Sequence, residues 1–205
     1  MHRHYRRLLA AAGAAVAVTV AAPLAFAAPQ NGAAGGKGDQ AVEVASEAEL
    51  AATRPAFKMP FECGQVWLGS NWNGHSPAHS IDWNHYDSNG NPDDRGRRVF
   101  ASAGGTVLES HYSTTTGYGN TIVIGHGNGW QTRYAHLKTR AVQKGAQIKV
   151  GQKIGQVGAT SAKYTLSPHL HYEQIHNGRT VVAVVQGVTW HDFTKRNQTS
   201  NNRCG

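Results

Sequence analysis

Cysteine is almost absent: the 205 residues hold two, Cys63 and Cys204. Neither has a close partner of the C-x-x-C kind, which argues against a cysteine-ligated zinc site. Beyond the first 27 residues no run is apolar enough to span a bilayer, so no later membrane span is expected. No repeat is visible, and no long stretch carries the 3.6-residue apolar period of an amphipathic helix. Strands and turns are left to build the domain. The basic residues are scattered rather than clustered, and no segment resembles a nucleic-acid-binding module, so nucleic acid is not an expected partner.

The chain opens on a basic stretch, His2-Arg3-His4-Tyr5-Arg6-Arg7. Leu8 to Phe26 follows, rich in Ala, Val and Leu without an acidic residue, and Ala25-Phe26-Ala27 is an A-x-A cleavage site. Residues 1–27 therefore read as a secretory signal peptide. An uncleaved anchor competes, because the apolar run is about long enough to span a membrane. The small residues at its end favour export, with no stable membrane anchor after cleavage. In the extracellular space or cell wall the two cysteines are expected to form a disulfide bracketing the domain. Closing so long a loop would contribute roughly 5 kcal/mol in the chain-entropy picture.

Residues 28–56 begin with Gly and Ala and read as a flexible linker or short propeptide, with a weak helix over Gln40–Ala52. Residues 57–205 are long enough for one domain with a real core. The net charge of +8 includes Arg3, Arg6 and Arg7, so the cleaved chain carries +5. Lys37 and Arg54 against Asp39, Glu43, Glu47 and Glu49 leave 28–56 net acidic, and the domain is the basic part. Such a domain suits an anionic partner, among them cell-wall polymer, nucleic acid or a lipid surface.

Within the domain, strand-type runs alternate with glycine turns. They are Val99–Ala101, Thr106–Tyr112, Thr121–Gly125, Trp130–Leu137, Val142–Val150, Lys153–Val157, His169–His176 and Thr180–Val185. Asn177-Gly178 between the last two is a type I′ hairpin signal. This spacing predicts a single all-β domain, mostly antiparallel.

The useful histidines fall in three clusters: His75 to Asp82, Arg133 to Leu137, and Pro168 to His171. In an extended strand His169 and His171 would share one face, roughly 6 to 7 Å apart, with Leu170 and Tyr172 on the other. Taken alone, an H-x-H pair is more often two solvent-facing histidines than a site. Hydrolysis at a zinc centre needs three protein ligands and an open position, and two His with one carboxylate are an established set. Further imidazoles can then act as base, acid or oxyanion donor.

Several ordered motifs raise the odds. Gly117-Tyr118-Gly119-Asn120, His126-Gly127-Asn128-Gly129, Tyr134-Ala135-His136-Leu137, Gly151-Gln152-Lys153-Ile154-Gly155, and Gly158-Ala159-Thr160 leading to Pro168-His169-Leu170-His171-Tyr172-Glu173 resemble the M23 (lysostaphin-type, LytM-like) zinc metallopeptidases. The resemblance covers roughly Phe61 to Thr180. It implies long loops around a zinc groove and a zinc-dependent endopeptidase acting on peptidoglycan peptide crosslinks. By position, His171 corresponds to a zinc ligand and Asp82 to the carboxylate ligand. His136 and His169 correspond to the non-ligand catalytic imidazoles.

The first His ligand departs from the family's usual His-x-x-x-Asp, since Ala78 stands four before Asp82. His79, three before, would face away from Asp82 in a strand. His75 lies seven before, with Pro77 between to turn the chain, and is the preferred ligand, leaving His79 at the rim. Glu173 is either a partner orienting a ligand imidazole or a polar strand residue. Trp130 and Tyr134 read as packing, His126 as a turn residue, and His85, His111, His176 and His191 as surface residues. Asp87 to Arg98 does not match a calcium loop. A monomer is expected. Two other readings stay open: a non-catalytic LytM-like domain that binds the wall or regulates another wall hydrolase, and a basic wall-binding module without metal.

Overall fold

Alternating apolar residues between glycine turns give fourteen strands in the computed structural model, which describes residues 46–205. The leader expected at 1–27, and the adjoining segment as far as residue 45, lie outside the described residues. A short helix, α1 (Glu47–Thr53), opens the described part, with Ser46 Oγ accepting from Glu49 N. It stops at Arg54, which is extended ahead of Pro55.

The strands are β1 (Val66–Ser70), β2 (Ile81–Asn84), β3 (Arg98–Phe100), β4 (Gly105–Ser113), β5 (Gly119–Gly127), β6 (Trp130–Ala135) and β7 (Thr139–Arg140). Then come β8 (Gln147–Ile148), β9 (Lys153–Gln156), β10 (Leu170–His176), β11 (Arg179–Val181), β12 (Ala183–Val185), β13 (Val188–Trp190) and β14 (Lys195–Thr199). The main sheet runs β14-β1-β2-β10-β6-β5-β4-β8, with β11 also paired to β10. A hairpin, β12–β13, and a small β3-β9-β7 sheet complete the fold, and every strand pair is antiparallel. The all-β reading holds. Asn177 and Gly178 take φ 48° and 78°, as a type I′ turn requires.

Two local expectations change. Val142–Val150 is not one strand: only Gln147 and Ile148 pair, after a turn at Lys144-Gly145. Five strands went unforeseen: β1, β2, β7, β13 and β14.

One face of the main sheet is apolar. Ile81 and Trp83 on β2, Leu170 and Tyr172 on β10, Tyr134 on β6 and Ile122 on β5 are buried together. At roughly 1.5–3 kcal/mol for each large side chain buried, this face dominates stability. Trp83 meets Trp190 edge-on at 4.8 Å, and Gly69 lets both rings lie against the β1 backbone, where a methyl group would collide with them. Cys63 and Cys204, 141 residues apart, form a disulfide that joins the two ends of the domain. At the start of β6, Trp130 Nε1 donates to Thr53 Oγ1 of α1 at 3.2 Å, and Phe57 packs beside it. His85, read as a surface residue, is instead half-buried against Trp67 and ion-paired with Asp93.

Candidate metal centre and groove

The other face of the sheet carries the chemistry, and strand register explains why. Ser70, Asp82, His171 and Ala135 lie in one row across β1, β2, β10 and β6. Directly opposed residues point to the same face, so Asp82 and His171 meet although 89 positions apart. His136 follows the end of β6 with φ 59°, an unusual conformation for a non-glycine residue, and its N–H donates to the Tyr118 carbonyl at 2.9 Å. That turn aims the imidazole back over the row. The Tyr118 loop is pinned in its turn by Gly119 (φ 59°), where a methyl group would collide with the Thr160 carbonyl.

His75 arrives from the 71–80 loop, whose ends are tied by Asn71 Nδ2 donating to the Ser80 carbonyl at 2.6 Å. His75 Nε2 lies 3.2 Å from Asp82 Oδ1, and His171 Nδ1 lies 3.0 Å from the same oxygen. The three ligand atoms of His75, Asp82 and His171 are all within 4.8 Å of one another. Ligands held tetrahedrally around zinc would stand about 3.4 Å apart at ordinary bond lengths. Two nitrogens and one carboxylate oxygen at these separations, with a groove on their open side, fit a zinc ion.

His79 goes elsewhere. With φ 67° it turns outward, its Nδ1 2.9 Å from Asp192 Oδ2 and its N–H bonded to Asp192 Oδ1 at 3.1 Å. His169 stands beside the centre, Nε2 3.6 Å from Asp82 Oδ2, and its ring is 4.8 Å from that of His136. A groove of about 620 Å³ runs over these residues. Trp72, stacked on His75 at 4.1 Å and half exposed, lines it along with Tyr164 from the 160–167 loop. Trp130 and Tyr134 do not line it; both are buried in packing. His126 bonds to the Gly104 carbonyl and Thr132 Oγ1.

The electrostatics are those of a desolvated site. Burial opposes charge on Asp82, but hydrogen bonds from His171 and His75 outweigh it and hold the carboxyl well below its usual range. Burial likewise disfavours a charged His171, yet Asp82 and Glu173 together raise it to about 9 in the metal-free protein. His136 moves the other way, down to about 4, through burial and then the nearby charge of His169 and His171. Tyr118 is pushed up by burial and by the Glu173 carboxylate, so its phenol keeps its proton. Ser80 and Trp72 were missed from sequence. Nothing local in Asn71-Trp72-Asn73 or His79-Ser80 marks them, and their contacts form only when the loop closes.

This all-β sheet, with a His–Asp–His cluster at the floor of a groove, defines a candidate metallohydrolase centre. The chain belongs to peptidase family M23, whose model matches residues 91–183. It is 42% identical over 89 residues to the peptidoglycan DD-endopeptidase ShyA of Vibrio cholerae, covering 43% of this chain and 20% of that one. The chain thus spans about a fifth of that relative's length. It is 37% identical over 87 residues to lipoprotein NlpD of Yersinia enterocolitica (42% of this chain, 86% of that one). It is 36% identical over 87 residues to the murein hydrolase activator NlpD of Escherichia coli (42% and 22%). Among solved structures, the deep-sea M23 metalloprotease pseudoalterin shares the fold, with TM-score 0.51 and 17% identity over 73% of this chain and 99% of that one. No helix among the described residues is long and apolar enough to cross a membrane.

Proposed function

We propose that this protein is a secreted, zinc-dependent endopeptidase that hydrolyses peptide bonds in peptidoglycan crosslinks. The observation that carries the reading is the joining of His75, Asp82 and His171 within 4.8 Å at the floor of a groove that also presents His136 and His169. Zinc bound by those three residues would supply Lewis acidity, polarising the scissile carbonyl and acidifying water. The protein's own groups do the rest. His136 gives Nδ1 to the Thr160 carbonyl at 2.9 Å and His169 gives Nδ1 to the Ser167 carbonyl at 2.8 Å. Each therefore holds Nε2 available to the groove, one to take the proton of the attacking water and the other to support the developing oxyanion. Trp72 and Tyr164 wall the groove where the peptide would lie. The exported, basic domain would find its anionic wall polymer outside the membrane.

The kinship to the Escherichia coli murein hydrolase activator favours a second reading, a domain that activates another wall hydrolase. A complete candidate ligand set and both imidazoles speak for the enzyme. The test is the zinc content of the purified protein together with cleavage of crosslinked wall peptides. The enzyme should carry about one zinc per chain, and His136→Ala or His169→Ala should keep that zinc while slowing turnover by roughly 10²-fold or more. Wild-type protein that holds zinc but cuts nothing, while stimulating a separate wall hydrolase, would support the activator.

A further inference from the structure

The four imidazoles around the groove do not share one orientation. His136 and His169 each direct Nδ1 at a backbone carbonyl, which can only accept, so Nδ1 carries the proton and Nε2 the lone pair. His75 does the same through Ser80 Oγ at 3.2 Å, because that hydroxyl spends its own proton on the Pro77 carbonyl. His171 is reversed. Its Nε2 faces Glu173 Oε1 at 3.0 Å, and its Nδ1 faces Asp82. A metal ligand must offer a lone pair, and the partner of its other nitrogen decides which nitrogen can.

Glu173 is built to be that partner. It is 1% exposed, and it follows His171 by two residues on the same face of β10. Arg133, directly opposite on β6, places Nε 3.3 Å from Oε2 without hydrogen-bond alignment, an ion pair more than a directed bond. Thr180 Oγ1 approaches Oε2 at 3.5 Å, and the Tyr118 phenol donates to the same carboxylate. The Arg133 guanidinium in turn lies 4.4 Å over the Tyr118 ring. A cross-strand ion pair alone would account for Oε2. It does not account for Oε1, which is committed to the one imidazole whose orientation is inverted.

We propose that Glu173 is a positioning residue for the candidate metal centre: it holds the proton on His171 Nε2, so that Nδ1 alone is presented beside Asp82 and His75. Tyr118, which lines the groove and bonds to Glu173, extends this support to the surface where a peptide would lie. The role rests on the metal reading above. Partners of this kind commonly change metal affinity 10- to 100-fold.

The experiment is a competitive zinc titration of metal-free protein against a chromophoric chelator, for wild type, Glu173→Ala and Glu173→Gln. Long-range proton–nitrogen NMR of His171 in the zinc-loaded forms reads the nitrogen that keeps its proton. Glu173→Ala should weaken zinc binding about 10- to 100-fold. Glu173→Gln, whose amide oxygen can still accept, should recover most of the affinity with the proton at Nε2. Removing the carboxylate takes from the half-buried Arg133 its nearer charge partner, leaving only Glu109 at 4.0 Å, and could prevent folding. The double variant Glu173→Met/Arg133→Met replaces the whole pair with apolar side chains and should show the same loss. Wild-type protein that takes up no zinc would remove the metal reading and this role together. Wild type that binds zinc, matched in affinity by folded Glu173→Ala or the double variant, would remove only the role.

Discussion

β10 carries a histidine near each end, and the two have different surroundings. His171 is buried, flanked at 3.0 Å on both ring nitrogens by carboxylates and in edge contact with the rings of His75 and His136. His176, five residues on and about 17 Å along the strand, is half-buried. It donates Nε2 to the Asn128 carbonyl at 3.2 Å and packs against Trp130 at 4.7 Å. Trp130 there meets α1, Phe57 and the Arg54 guanidinium, so the far end is built on aromatic packing. The same side chain on the same strand is thus a candidate ligand at one end and a packing residue at the other. The difference comes from what converges on it. The 71–80 loop, the Tyr118 turn and the 158–169 loop all reach the His171 end, line the groove over it and leave His171 and Asp82 buried. Desolvation then makes each charge depend on its partner.

The sharpest test removes one acid from the groove end. Asp82→Ala should lose stoichiometric zinc and all crosslink cleavage, because it deletes a ligand and leaves the remaining nitrogens with no anionic partner between them. His176→Ala should keep zinc and turnover. Elemental analysis with a cleavage assay decides, and zinc lost from His176→Ala would break the comparison.

A second test is pH. His171 lies at about 9 in the metal-free protein against 6.5 for a free imidazole. At neutral pH it therefore holds a proton that zinc must displace. Zinc affinity should rise by about tenfold per pH unit up to about 9 and level off above, as seen in chelator competition. The same raised pKa stabilises the metal-free fold fully below about 6.5, and that contribution is lost as pH rises through about 9. The melting temperature in excess chelator should accordingly fall over that window. A metal-free protein whose melting temperature held steady there would show that His171 is neutral.

The smallest effect is expected at His79. Its pair with Asp192 is about a third exposed on both sides, so His79→Ala should cost below about 1 kcal/mol and leave zinc untouched. Thermal unfolding and elemental analysis check both. A zinc-free His79→Ala protein would move the first ligand from His75 to His79.

Much of the fold was readable in the chain. Strand-forming runs between glycines, the Asn177-Gly178 turn and the clustered histidines are local patterns, and the strands β4, β5, β6, β9 and β10 sit close to where those patterns put them. The strands that escaped notice are all five residues long or shorter. Lys195–Thr199 is Lys-Arg-Asn-Gln-Thr, polar throughout, and it is a strand because β1 offers it a ladder. Ile81–Asn84 does alternate, Ile-Asp-Trp-Asn, but at four residues it is too short to stand out. His85 was misplaced because its burial comes from Trp67, far away in sequence.

Local order of residues therefore determined the all-β class, the pair of cysteines suited to a bridge, and an inventory of imidazoles and carboxylates that could form a site. Tertiary structure decided how that inventory is arranged. Asp82 faces His171 because β2 and β10 pair in one register, and a slip of one residue would turn each side chain into the core. His75 points inward and His79 outward because the 71–80 loop closes on itself while Asp192, more than a hundred residues later, captures His79. Local spacing could favour His75 over His79, but strand pairing and loop closure join residues distant in the chain, and only those contacts hold the one inward and the other outward.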